Sequence, residues 1–159
     1  MTNNVYLNTA FAFMACDGEI VPEEIATIRA MGDNGLFPID NFDQDLETLI
    51  SELNKQGKHL IKRYLDSLCA ETFTRDESLK VLQVAVETIY ADNDVAYSEV
   101  KFFRAVRRNL PAIDDEDILA NIPEVDDFWL ASDIKSANVE KEYFDSIEMP
   151  QFDLAQITG

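Results

Sequence analysis

The stretch Cys16-Asp17-Gly18-Glu19-Ile20-Val21-Pro22-Glu23-Glu24-Ile25 is echoed by a second stretch, Ala91-Asp92-Asn93-Asp94-Val95-Ala96-Tyr97-Ser98-Glu99-Val100. In each copy an apolar run stops at an aspartate, the chain turns, one aliphatic residue follows, and a new run begins at a glutamate. Ala and Met precede the first turn and Pro-Glu-Glu follows it, which is typical of one helix ending and another beginning. The two stretches therefore predict two helix–turn–helix units.

The rest of the chain also has helical spacing of its apolar residues. One such set has spacings of i, i+4, i+7, i+8 and i+11 and consists of Phe42, Leu46, Leu49, Ile50 and Leu53. No stretch alternates with the period of a strand. Gly57 is expected to separate two helices, Thr74 with Glu77 has the spacing of a capping box, and Pro111 ends a helix. The sequence predicts an all-α fold of about seven helices, the last near residues 114–120.

Residues 5–30 can be laid over residues 80–105. The pairs that are identical in this overlay are Leu7/Leu82, Ala10/Ala85, Asp17/Asp92, Glu24/Glu99, Arg29/Arg104 and Ala30/Ala105. Ile20 and Val95 also correspond and are expected to fill the core beside the turns. The overlay favours a bundle with internal pseudo-two-fold symmetry, in which the two acidic turns meet on one side.

The charge of the chain is strongly negative and unevenly distributed. The 159 residues carry 13 basic and 31 acidic side chains, a net charge of −18, which argues against nucleic acid as a direct ligand. Residues 109–159 hold 13 of the acids and only two lysines, whereas basic residues gather in segments 55–63 and 101–108. We expect a helical domain at 1–112 and an acidic C-terminal segment at 113–159 that packs on it.

Other features predict a soluble, cytoplasmic protein. No run approaches the ~20 apolar residues of a membrane span, and the first residues do not resemble a signal peptide. Cys16 and Cys69 stand in apolar runs and are expected to be buried, reduced thiols. His59 is the single histidine, which leaves no histidine-based metal site or catalytic dyad, and it is expected to be exposed on a basic helix.

The acidic turns are the concentrated polar chemistry of the chain. The candidate metal ligands are Asp17, Glu19, Glu24, Asp92, Asp94 and Glu99. Asp-Gly-x-Ile-x-x-x-Glu matches the second half of an EF-hand loop, but Phe13, Ala15, Thr88 and Tyr90 occupy the first-half ligand positions. A cluster from both turns could bind Ca²⁺ or Mg²⁺ through hard oxygen ligands. The structural alternative is that the aspartates cap the following helices and the glutamates interact favourably with the helix dipoles.

These paired motifs, Ala-Cys-Asp-Gly-Glu-Ile and Tyr-Ala-Asp-Asn-Asp-Val, resemble those of the TerB family of tellurite-resistance proteins over roughly residues 5–112. The resemblance implies an all-helical body of two related hairpins with an acidic cluster proposed to bind metal. It also implies a non-enzymatic role in stress-response assemblies, membrane-associated in some cases, that are linked to tellurite, chemical stress and phage defence. Asp17, Glu24, Asp92 and Glu99 match the acidic turn positions of the family. Val21 and Ala96 at the cap and Asn93 depart from its pattern.

Two other functions remain open. The acidic C-terminal segment favours an interaction protein that mimics nucleic acid on a basic partner surface, and the acidic cluster permits a metal-dependent hydrolase. Aromatic residues in this segment either bind a partner or fold back over a groove of their own domain: Phe128, Trp129, Tyr143 and Phe144.

Overall fold

The computed structural model describes residues 4–16, 20–38, 40–92, 95 and 97–130, and this part of the chain is helical without a strand. Its elements are α1 (Val5–Ala15), α2 (Pro22–Asp33), α3 (Phe42–Gln56), α4 (His59–Ala70), α5 (Arg75–Ile89), a 3-10 turn (Tyr90–Asp92), α6 (Tyr97–Arg108), α7 (Asp115–Asn121) and α8 (Asp127–Leu130). The all-α prediction is confirmed. The described residues contain one short helix, α8, beyond the seven that were expected.

Helix α1 is the central element of the fold. Every residue from Leu7 to Cys16 is buried, so the helix has no solvent-facing side along most of its length. A helix that is apolar on all sides is stable in water only when neighbours surround it. Helix α5 forms its most extensive interface, and α4 and α2 also contact it.

Local signals set several helix ends as the sequence predicts. Thr74 Oγ1 accepts a hydrogen bond from Glu77 N, and Glu77 Oε1 accepts one from Thr74 N, which completes the capping box of α5. Gly57 follows α3 with φ of 58°, in the left-handed region where glycine avoids a Cβ clash. Asn4 accepts hydrogen bonds from Tyr6 N and Leu7 N and thereby caps α1.

The described part of the acidic segment packs on the helical body. Its buried side chains belong to the same core cluster as α1 and α5, and they are Ile113, Ile118, Ile122, Val125 and Trp129. Residues 113–130 therefore share the core of residues 4–112. The remainder of the predicted segment, residues 131–159, lies outside the described residues.

The two cysteines differ in their environment. Cys16 is buried at the end of α1, and its thiol donates a hydrogen bond to Phe13 O at 3.1 Å. The expectation of burial is wrong for Cys69, which is exposed. Leu65 and Leu68 of α4 face the core. Because successive residues of a helix are rotated by about 100°, the next side chain, that of Cys69, points towards solvent. His59 is exposed, as expected, and none of the described helices combines the length and apolarity needed to cross a bilayer.

Candidate functional site

The first acidic turn leads into α2. Pro22 occupies the first position of this helix after Val21, whose side chain makes no capping hydrogen bond. Glu24 lies in the first turn of α2 and is half-buried. A carboxylate at this position is favoured by the positive end of the helix dipole. Asp17 and Glu19, the other predicted ligands of this turn, lie outside the described residues.

The second acidic turn follows α5 through the 3-10 turn Tyr90–Asp92 and leads into α6. Glu99 lies in the first turn of α6, at the position that corresponds to Glu24 in α2, and only 8% of it is exposed. A buried carboxylate is costly unless charge or hydrogen bonds stabilise it, and the start of a helix supplies part of that stabilisation. Only the backbone of Asp92 is described, and Asp94 lies outside the described residues.

Helix packing brings the second turn against α2, the helix that follows the first turn. Helix α2 contacts the 3-10 turn Tyr90–Asp92 and also α5. Ile20 is buried and Val95 is half-buried against the same core cluster, so the aliphatic residue of each turn points inwards, as predicted.

Most of the predicted cation ligands lie outside the residues that the structure describes. Within residues 4–130, excluding the undescribed positions, no three His, Cys, Asp or Glu side chains are grouped so that they could hold a metal ion. Of the six predicted ligands, only Glu24 and Glu99 have described side chains. The metal prediction thus remains a prediction.

A second site of interest lies where α8 packs on α6. Trp129 is buried, with its ring centroid 5.2 Å from that of Phe103 in an edge-to-face arrangement and 6.1 Å from that of Tyr90. Phe128, next to it, is 56% exposed. Trp129 thus folds back over its own domain, whereas Phe128 stays at the surface. Tyr143 and Phe144 lie outside the described residues.

Two residues of α6, Tyr97 and Arg104, lie beside Phe128, and a third, Lys101, lies beside Tyr97. The Tyr97 ring centroid lies 6.2 Å from that of Phe128, and the Arg104 guanidinium lies 5.1 Å from the Phe128 ring centroid. Lys101 Nζ lies 4.8 Å from the centroid of Tyr97. The i, i+4, i+7 spacing of Tyr97, Lys101 and Arg104 predicts a shared face, but only the packing of α8 reveals what lies beside it.

The acids of α7 are partly used inside the structure. Asp117 accepts two hydrogen bonds from Arg75, at 3.1 and 2.8 Å, and Asp115 pairs with Arg107 at 3.2 Å. The hydrogen bond from Arg75 lowers the pKa of Asp117 below its ordinary value. These two pairs join the acidic helix α7 to basic side chains of α5 and α6, which leaves fewer free carboxylates for an external basic surface.

A third feature is an open, polar cleft of about 940 Å³ between the start of α1 and helices α3, α4 and α5. Carboxylates on its wall come from Asp40, Asp45, Glu71 and Glu77, and its one basic side chain is Arg63. Arg63 Nη1 donates to Gln56 Oε1 at 2.7 Å. The cleft lies beside a different set of helix ends from the two acidic turns.

Comparison with known proteins adds no assignment. No family model, no curated protein and no solved structure matches this chain.

Proposed function

We propose that this chain is a non-enzymatic, TerB-like protein of a cytoplasmic stress-response assembly, and that its paired acidic turns bind a divalent cation, Ca²⁺ or Mg²⁺. The stress-response part of the proposal, with tellurite, chemical stress or phage defence as the context, rests on the resemblance of the two motifs. The cation-binding part rests on their chemistry, because carboxylates are the ligands that hard cations prefer.

The observation that supports this proposal best is the contact of α2 with the 3-10 turn Tyr90–Asp92. A cation between the repeats needs both turns at one end of the molecule. In that contact the second turn lies against the helix that follows the first turn, which supports such an arrangement.

Thermal unfolding of the full chain with added Ca²⁺ or Mg²⁺ tests the proposal. At 100 times the dissociation constant, a ligand bound only by the folded state adds about 2.7 kcal/mol, which raises Tm by roughly 5–10 °C in a chain of this size. The shift should disappear in the double variant Asp17→Asn with Asp92→Asn. A matched control is Asp66→Asn with Glu47→Gln, which changes two exposed carboxylates on other helices and should retain the shift.

Absence of any cation-dependent shift in the parent chain would overturn the cation-binding part. An equal shift in the double variant and its control would also overturn it, because the cation would then be binding elsewhere.

A further inference from the structure

Helix α6 carries an aromatic and basic stripe on one face. Tyr97, Lys101, Arg104 and Arg108 follow one another at i, i+4, i+7 and i+11, so they line one side of the helix. Phe128 of α8 lies beside Tyr97 and Arg104, and Lys101 lies beside Tyr97. We call Tyr97, Lys101, Arg104 and Phe128 the α6 patch. It contains two cationic side chains, Lys101 and Arg104, on a chain whose net charge is −18, and the exposed Asp126 and Asp127 adjoin Phe128.

The rings of the α6 patch are the most exposed of the described aromatic side chains in this region, ahead of Tyr90 at 39%. Tyr97 is 53% and Phe128 56% exposed, whereas Phe102, Phe103 and Trp129 are buried. Arg104 Nη2 donates a hydrogen bond to Phe128 O at 2.5 Å, which fixes α8 against α6 and keeps the two rings together. Adjacent exposed rings flanked by cations form a surface suited to an acidic segment that carries aromatic residues.

The chain itself supplies such a segment. We propose that residues 131–159, which lie outside the described residues, bind the α6 patch of the same molecule. This segment begins directly after Leu130, two residues beyond Phe128, and contains six acidic residues and two lysines. Within it, Glu140-Lys141-Glu142-Tyr143-Phe144-Asp145 places two aromatic residues between carboxylates. Its charge and its rings are complementary to those of the α6 patch.

The short connection favours this segment over an external partner. The 13 residues from Leu130 to Tyr143 can span up to roughly 40 Å, more than enough to return to a surface beside α8. A covalent connection of this length gives an effective concentration of about a millimolar, so a weak contact is sufficient. The inference is independent of the proposed cation site, because it uses none of the candidate metal ligands.

A spin label on the full chain tests the inference by NMR. Cys69→Ser removes the exposed thiol, Cys16 is buried, and Asp145→Cys places one nitroxide beside Tyr143 and Phe144. We expect the amide signals of residues 97–104 and 128–130 to broaden several-fold more than those of residues 58–62, which form the other basic surface. Adding Tyr143→Ser and Phe144→Ser should remove this difference, as should Lys101→Glu, whereas the control Lys62→Glu should not.

Two results would overturn the inference. One is equal broadening of residues 97–104 and 58–62, which would show that the segment has no preference for the patch. The other is the same selective broadening when ¹⁵N-labelled chains without nitroxide are mixed with unlabelled chains that carry it, because the occupant would then be a second copy.

Discussion

The hydroxyl oxygens of Thr9 and Tyr64 lie 2.6 Å apart and join α1 to α4 inside the core, where both residues are fully buried. Thr9 Oγ1 also lies 2.7 Å from Val5 O, to which it donates its single proton. Tyr64 must then be the donor in the bond between the two hydroxyls. This polar pair orients two helices that otherwise contact one another through apolar side chains.

The direction of that hydrogen bond predicts unequal effects of two similar substitutions. Tyr64→Phe removes the donor but leaves Thr9 bonded to Val5 O, so we expect a loss of about 0.5–1.5 kcal/mol in the free energy of unfolding. Thr9→Val leaves the Tyr64 hydroxyl buried without an acceptor, and the expected loss is about 1–3 kcal/mol. Urea denaturation measures both. A larger loss for Tyr64→Phe would contradict the assignment, and the double variant should cost less than the sum.

Alkaline pH should destabilise the protein partly through Tyr64. Burial raises the pKa of this phenol above its ordinary value of 10.0. Because the folded-state pKa is the higher one, the stability from this group is complete below pH ~10 and is lost as the pH rises further, by up to about 1.4 kcal/mol per pH unit. Urea denaturation from pH 8 to 11.5 should show the difference between parent and Tyr64→Phe shrinking above pH ~10. A difference in the free energy of unfolding that stays constant over this pH range would count against a raised pKa of Tyr64.

The capping box of α5 predicts a local loss of stability at Thr74. Thr74→Ala removes the side-chain acceptor of Glu77 N, and we expect the free energy of unfolding to fall by about 1 kcal/mol. The matched control is Thr72→Ala, which changes an exposed threonine outside the helix and should alter stability by less than about 0.5 kcal/mol. Equal effects of the two substitutions in urea denaturation would show that the cap contributes nothing.

The ion pair between Arg75 and Asp117 predicts that the stability contributed by Asp117 decreases at acidic pH. The hydrogen bonds from Arg75 lower the pKa of Asp117 from 3.8. The contribution of the Asp117 carboxylate to stability is therefore present above that pH and is lost as the pH falls through the lower folded-state pKa. Asp117→Asn should therefore lower Tm at pH 7, and the difference from the parent should narrow below pH ~4. Asp76→Asn is the control, because Asp76 is almost fully exposed and lies 3.8 Å from Arg75. If the difference in Tm between Asp117→Asn and the parent is the same at pH 3 as at pH 7, the ion pair does not stabilise the protein through the charge of Asp117.

The candidate site was only partly accessible to sequence reasoning. The spacing of the two motifs predicted that Ile20 and Val95 would point into the core, and they do. Glu24 and Glu99 could be placed at helix starts because such positions depend on neighbours within a turn. The α6 patch was missed, because Phe128 reaches Arg104 from 24 residues away, and no local pattern specifies that contact.

The sequence by itself determined the elements of this protein: helices from apolar spacing, the start of α5 from Thr74 and Glu77, and the end of α3 from Gly57. Each of these depends on hydrogen bonds and contacts between residues at most four apart. Only the tertiary structure decided that Tyr64 would meet Thr9, and that Trp129 would be buried while Phe128 stays exposed. Those outcomes follow from the way whole helices pack together, which a local segment cannot encode.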